Sequence, residues 1–317
     1  MKKTELADAV ILADTHLRDD QSACRTDDYF TTQLKKLSWA VNLLRCGNLV
    51  RAGAPLIIAG DVFDHWKPSP LLLKEVIIII NSLKQEYPVV VVAGQHDLPQ
   101  HNLDLLSKTG LAVLEKACEI HVLTGGARFQ TDRLAIYGWS WGDELPTANV
   151  VVSKPSQATI GVYHFPTWYK DCPYGPVKIP DAVQRLRQLP PFDLTVVGDN
   201  HIPFTVYSKD DRVLLSPGSM CRMSADQQKY IPKAWLYFRY SGLKSIPIPI
   251  VADVVSRQHI EAKAERNKTL NAFIEGVADQ KHGKMSFVKR LEMEMEKKEH
   301  DQELKQVMWE AIHEETM

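Results

Sequence analysis

The sequence predicts an α/β protein in which two packed β-sheets are flanked by helices, followed by a C-terminal helical segment. Three features of the 317 residues carry that prediction. In the first third of the chain, short apolar runs alternate with longer stretches of helical periodicity, the signature of a layered domain with a largely parallel sheet. From about residue 119, short strand-like runs follow one another with few helices between them. From residue 254 onwards, charges of both signs dominate and strand-type runs disappear.

Residues 9–13 form the first apolar run and read as a buried strand. A helix is expected over residues 31–51, where Leu34, Leu37, Ala40, Val41 and Leu44 recur at helical spacing. Residues 55–59 are a second strand, after which Ser69-Pro70 opens another helix, with Ser as cap and Pro in the first turn. Residues 88–93, with four consecutive valines, read as a strand covered on both faces. Further strands are expected at 120–123, 133–139, 158–163, 194–197 and 213–215, with a helix at 180–189. The runs 235–240 and 245–250 form a hairpin across Ser241-Gly242, and these later strands are expected to build a second sheet packed on the first. Residues 1–253 therefore form one domain. In the segment 254–317, Leu270, Phe273, Ile274 and Val277 make one narrow stripe and Leu304, Val307, Met308 and Ile312 another, with Gly283 between them. Narrow stripes on charged helices suit docking onto another surface.

Composition limits the function. The charges nearly balance, 38 Lys and Arg against 39 Asp and Glu, so bulk charge gives no sign of a nucleic-acid binder, while a local basic groove stays compatible. The cysteines at 24, 46, 118, 172 and 221 are widely spaced and contain no CxxC pair, which argues against a disulfide framework or a zinc knuckle and for a reducing, cytoplasmic setting. No signal peptide fits the N-terminus. The apolar stretch 71–83 contains Lys74, Glu75 and Asn81 and falls short of the roughly 20 residues of a membrane span.

Five apolar runs end on metal-binding or acidic side chains: Asp14-Thr15-His16, Gly60-Asp61-Val62-Phe63-Asp64, Gly94-Gln95-His96-Asp97, Tyr163-His164 and Gly198-Asp199-Asn200-His201. Open α/β sheets collect ligands outside the carboxyl ends of their strands, so five such endings point to one site. Strand alternation would turn Asp14 and His16 the same way, and likewise Asp199 and His201. Gly60 permits a sharp turn that brings the Asp61 carboxylate, with its two oxygens, between two cations. Imidazole, carboxylate and amide donors together suit Mn²⁺, Fe²⁺ or Zn²⁺. Two such ions about 3.5–4 Å apart stabilise the attacking and leaving oxygens of a displacement at phosphorus.

In this order, over residues 9 to about 221, the motifs resemble those of the calcineurin-like metallophosphoesterases. Within that superfamily, Asp14-Thr15-His16-Leu17, Gly60-Asp61-Val62-Phe63-Asp64 and Ser216-Pro217-Gly218-Ser219 are most similar to the nuclease subunit of SbcC–SbcD-type DNA repair complexes, phage versions included. The resemblance implies an α/β/β/α sandwich as catalytic domain, with 254–317 as a reduced capping or partner-docking element. It implies that Asp14, His16, Asp61 and His201 bind a first metal, and Asp61, Gln95, His164 and Asp199 a second. His96 would protonate the leaving oxygen or stabilise the transition state, with Asp64 and Asp97 as supporting carboxylates, and a carboxylate bonded to His96 would raise its basicity. The implied function is a two-metal phosphodiester hydrolase, a DNA exo- or endonuclease using Mn²⁺ and working as a homodimer with an SbcC-like coiled-coil ATPase. The alternatives are a stand-alone phosphoesterase on a nucleotide, phosphoprotein or lipid-linked diphosphate, and a scaffold subunit weakened in turnover.

Two positions depart from the family pattern, Gln95 for its usual Asn and Asp199 for the first His of its last motif. Both fall on the second metal, and the longer amide and shorter carboxylate are expected to compensate. Counting Asp199, the ligand charge changes from about −2 to about −3, which favours Mn²⁺ over Zn²⁺ there. Trp139, Trp141, Phe165, Trp168 and Tyr169 are candidates for stacking on bases or for ordinary packing. Arg25, Lys67, Lys170 and Arg222 are candidate phosphate contacts or solvated charges, and His65 and His101 read as exposed loop histidines.

Overall fold

The computed structural model describes residues 5–83, 86–146, 157–170 and 181–279. The chain divides into two compact units, 1–255 and 256–317. In chain order the larger unit contains β1 (Ala9–Leu12), α1 (Tyr29–Leu44), β2 (Leu56–Ala59), α2 (Pro70–Asn81), β3 (Val89–Val92), α3 (Gly110–Cys118) and β4 (His121–Val122). There follow β5 (Ala127–Gln130), β6 (Leu134–Trp139), β7 (Ala158–His164), α4 (Ala182–Gln188), β8 (Leu194–Gly198), β9 (Phe204–Tyr207), β10 (Val213–Ser216), β11 (Lys233–Phe238) and β12 (Gly242–Pro247). The smaller unit contains α5 (Gln258–Asp279).

The helices start where their caps dictate. Asp28 accepts the Thr31 N–H, Ser69 the Leu72 N–H beside Pro70, Thr109 the Ala112 N–H and Asp181 the Val183 N–H. Two six-stranded sheets result, in the orders β12-β11-β1-β2-β3-β4 and β5-β6-β7-β8-β10-β9. The run β1 to β4 is parallel, as is β6-β7-β8-β10; β11, β12, β5 and β9 pair antiparallel at the flanks.

The apolar runs resolve into two faces with the two-residue period of a strand. Val89 and Val91 pack with Val10, Leu12, Leu56 and Ile58 against Leu37, Val41, Leu44, Leu72 and Val76 of α1 and α2. Val90 and Val92 face the other way and, with Ile11 and Ile57, meet Ile136, Ile160, Val162 and Val196 of the second sheet. The outer face of that sheet packs Tyr137, Trp139, Tyr163 and Val197 on Leu186, Leu189 and Phe192. The α/β/β/α layering is thus the observed architecture.

Several elements differ from the expectation. The β11–β12 hairpin belongs to the first sheet, not the second, with Ala9, Val10 and Ile11 opposite Tyr237, Leu236 and Trp235. Without it the fully buried β1 would be an edge with unpaired backbone groups. Phe238 pairs with Gly242, so the turn spans Arg239, Tyr240 and Ser241. β4 also extends the first sheet. β5 is an edge strand in which the exposed Arg128 and Gln130 break any apolar run, so the sequence gives no strand there; β9 (Phe-Thr-Val-Tyr) has strand-type residues throughout and was missed without such a reason. α3, opening on a glycine, was missed as well, and α1 ends at Leu44, earlier than expected. The side chains of the Leu270, Phe273, Ile274 and Val277 stripe lie outside the described residues, as do Cys172, Gly283 and the stripe Leu304, Val307, Met308 and Ile312. Among the described residues, no helix is long and apolar enough to cross a membrane.

Candidate metal centre

The strand endings converge, although not by strand alternation. β1 stops at Leu12, and Asp14 and His16 lie beyond it in left-handed backbone conformations, φ 47° and 41°. Asp61 (φ 47°) and Asp199 (φ 85°) adopt the same region just past β2 and β8. Left-handed residues other than glycine are uncommon and cluster where a site demands a particular side-chain direction. Here four of them are the candidate site residues named above. The loops after β1 and β2 run side by side: Asp14 N–H donates to Gly60 O (3.2 Å), His16 N–H to Asp61 O (2.9 Å) and Thr15 Oγ1 to Val62 O (2.8 Å). A side chain on Gly94 would overlap Asp61 Oδ1, so only glycine lets the third loop approach this closely.

The two central carboxylates are treated alike. Asp14 Oδ1 accepts the Asp199 main-chain N–H at 2.9 Å, and Asp61 Oδ1 accepts the His96 main-chain N–H at 2.9 Å. The other oxygen of each, Oδ2, is buried and has no hydrogen-bond partner. Asp61 Oδ2 lies 3.5 Å from His16 Nε2 and 3.4 Å from His164 Nε2, a bridging position between two imidazoles. His16 Nε2 also lies 3.1 Å from His201 Nε2. Three sets of side chains bring ligand atoms within 4.8 Å of one another: Asp14, His16 and His201; His16, Asp64 and His96; and Asp14, Asp61 and His164.

The ring orientations are set from behind. His164 Nδ1 donates to Ala59 O (2.9 Å), which turns Nε2 towards Asp61 and to within 2.7 Å of Gln95 Oε1. His16 Nδ1 lies 3.1 Å from Asp64 Oδ1, and Arg18 Nη1 holds the second oxygen of that carboxylate at 3.3 Å. Bonds of this kind fix the tautomer and aim the opposite nitrogen. Gln95 Nε2 donates to Asp199 Oδ1 at 2.7 Å. His96 is exposed at the mouth, 4.9 Å from His16 between ring centroids, and its Nδ1 bonds the main-chain carbonyl of Asp64 (3.0 Å). The carboxylate expected on His96 is therefore a backbone oxygen instead. Asp97 is wholly buried and accepts the N–H groups of Val62, Phe63 and Gly94, tying the second and third loops together rather than facing His96.

Electrostatics follow from this crowding. Burial, reinforced by Asp61, pushes the Asp14 carboxyl up to about 7. Burial likewise raises Asp61, but His164, His16 and His96 outweigh it and hold that carboxyl well below the usual range. Burial lowers His164, yet Asp61, Asp14 and Asp199 prevail and raise it to about 10. His201, part-buried beside His16, loses solvation and falls to about 4, so it is neutral at pH 7. Burial and Asp61 raise Asp97 to about 6.

The remaining candidates divide. Trp139 is core, stacked on Tyr163 at 4.7 Å, and Trp168 is buried; Tyr169 is exposed and lies against Phe204. Trp141 meets His164 edge-on at 6.4 Å, and Phe165 packs under Arg185. Arg25 and Arg222 are buried, not phosphate contacts: Arg25 pairs with Asp27, and Arg222 bonds Gln228 O and Val251 O. Lys170 lies over Tyr169, His65 and Lys67 are exposed, and His101 meets Trp141 edge-on. Sequence reasoning missed Arg18, whose signal was only its place two residues after His16, and the Ala59 carbonyl, which no sequence pattern marks.

No protein-family model and no curated protein matches the sequence. The structure is similar to that of a dimetal phosphatase from Danio rerio, with a TM-score of 0.46 and 11% identity, covering 77% of this chain and 100% of that chain.

Proposed function

We propose that the chain is a metal-dependent phosphoesterase holding two divalent ions, and that its substrate is a phosphodiester of DNA. One observation carries the reading: two buried carboxylate oxygens, Asp14 Oδ2 and Asp61 Oδ2, without hydrogen-bond partners, beside the imidazoles of His16, His164 and His201. Buried carboxylate oxygens left without a hydrogen bond are costly, and a cation among them offsets that cost. Asp14, His16, His201 and Asp61 would hold one ion; Asp61, His164 and the Gln95 carbonyl would hold the other. Such ions polarise a phosphoryl oxygen and make bound water nucleophilic at neutral pH. Nitrogen and oxygen donors without thiolate fit Mn²⁺.

The protein side chains supply the rest. Asp64 and the Ala59 carbonyl keep His16 and His164 aimed inward. With Nδ1–H donated to the Asp64 carbonyl, His96 offers Nε2 at the mouth to pass a proton to a leaving oxygen. DNA is preferred over smaller esters because the strand-end motifs and Ser216-Pro217-Gly218-Ser219 resemble the SbcD-type nucleases. The same resemblance supports a homodimer working with an SbcC-like ATPase.

The test is Mn²⁺-dependent cleavage of single- and double-stranded DNA beside hydrolysis of a small chromogenic phosphodiester, comparing wild type with His96→Ala. The expected result is DNA cleavage that His96→Ala reduces by roughly 10²–10⁴-fold. Turnover of the small ester with DNA untouched would move the substrate to the stand-alone class. Absence of both would leave the scaffold reading.

A further inference from the structure

Asp199 was expected to bind the second ion directly, yet its carboxylate belongs to none of the three sets of converging ligand atoms. Its two contacts face its neighbours instead. The main-chain N–H donates to Asp14 Oδ1 at 2.9 Å, and side-chain Oδ1 accepts from Gln95 Nε2 at 2.7 Å. We infer that Asp199 is a positioning residue: it orients the Gln95 amide on one side and the Asp14 carboxylate on the other, and the ion contacts those two groups rather than Asp199 itself.

The argument turns on which end of the Gln95 amide faces inward. A carboxylate oxygen accepts only, so it must meet the NH₂ end of the amide. That bond leaves Oε1 directed at His164 Nε2, 2.7 Å away. His164 Nδ1–H is already committed to the Ala59 carbonyl, so in the neutral ring Nε2 is also an acceptor. In the metal-free protein the Nε2 proton lies between the two and Gln95 Oε1 accepts it; once that proton is gone, a cation can take its place against both lone pairs. With Asp61 Oδ2 3.4 Å from the same nitrogen, three lone-pair donors converge there. Reversing the amide would present its N–H groups to that point and remove a ligand. Asp199 therefore selects between a cation site and a hydrogen-bonded cluster. Its left-handed backbone, φ 85°, sends the main-chain N–H to Asp14 while the carboxylate reaches Gln95.

This inference rests on the two-ion reading, and the experiment separates the two. Mn²⁺ binding is measured by calorimetry for wild type, Asp199→Gly, Asp199→Asn, Gln95→Ala and the double variant Asp199→Gly with Gln95→Ala. Glycine tolerates the positive φ and retains the main-chain N–H, so it removes the side chain alone. Asparagine tolerates that region too and keeps a carbonyl acceptor for Gln95 Nε2. The expected result is two ions in wild type and a second-ion affinity weakened roughly 10–100-fold by Asp199→Gly, the range for losing a group that orients a ligand. Gln95→Ala should weaken it at least as much, and the double variant no further than Gln95→Ala alone, because Asp199 acts through Gln95. Asp199→Asn should restore most of the affinity. If the losses multiply in the double variant, or if Gln95→Ala is silent while Asp199→Gly is not, Asp199 is a ligand and the inference is overturned. A wild type that binds no ion overturns the two-ion reading together with it.

Discussion

Strand β1 is bracketed by two buried aspartates that the fold treats in opposite ways. Asp8, before the strand, has its oxygens taken by Arg51 Nε (3.0 Å), by the guanidinium of Arg133 and by the Arg239 N–H (3.0 Å). Asp14, after it, has one oxygen satisfied and the other without a partner. Burial raises both carboxyls, but the arginines around Asp8 reverse the effect and hold it below the ordinary value, whereas Asp14 rises to about 7. One carboxylate is neutralised within the chain. The other is left for something the chain does not contain. The difference separates a buried acid satisfied within the chain from one left open by counting partners rather than by burial.

The strongest way to break this comparison is at the mouth of the site. His96 is exposed, so His96→Ala should lower kcat by roughly 10²–10⁴-fold while leaving Tm unchanged. A parallel fall in Tm would make His96 structural, and steady-state rates with a melting curve decide it. Next, saturating Mn²⁺ should stabilise the wild type by about 2.7 kcal/mol at a hundredfold excess over Kd. Asp14→Asn should abolish most of that gain without lowering the metal-free Tm. Asp8→Asn should do the reverse, costing about 2 kcal/mol, since its arginine partners are partly exposed, and leaving the Mn²⁺ increment intact. Thermal melts of both variants with and without Mn²⁺ would expose the comparison as empty if the two patterns coincide.

The smallest effects concern pH. Asp8 has a lowered folded value, so its stabilisation is present above the ordinary value of 3.8 and is lost as pH falls through the lowered one. Asp14 has a raised value, so in the metal-free protein its contribution is present below 3.8 and is lost as pH rises towards about 7. Mn²⁺ must displace that proton and the one on His164, raised to about 10, so apparent affinity should climb with pH through about 7 and go on climbing above it. Calorimetry across pH 5–8, roughly, reads the first part of the rise; a flat profile would mean that neither group holds a proton for the ion to displace.

Much of this was legible in the sequence because it is periodic or local. The valines of β3 announced a strand buried on both faces, and Ser69-Pro70 marked the start of α2 to the residue. The five strand endings named the residues that meet. What did not show was long-range. Nothing in residues 233–247 says that the hairpin returns to β1, since the reason is an edge needing cover some 220 positions earlier. Edge strand β5 lacks a continuous apolar signal because it is exposed, whereas β9 carries a short run of strand-type residues that was overlooked. The convergence of Asp14 with His16 was expected for the wrong reason: it is produced by left-handed turns after the strand has ended. Asp97 resembled a partner of His96 by adjacency, but its bonds run to Val62, Phe63 and Gly94.

The interlayer core has a consequence for the site above it. Asp14, His16, Asp61 and Gln95 ride on the first sheet, while His164 and His201 ride on the second. Where the layers meet near the site, the side chains include the small Ala13 and Ala59. Those methyl groups act as a spacer gauge: the thickness they allow sets how far apart the two sets of candidate residues stand. Widening it by even one or two methylenes would change the separation of those two sets with every side chain still present.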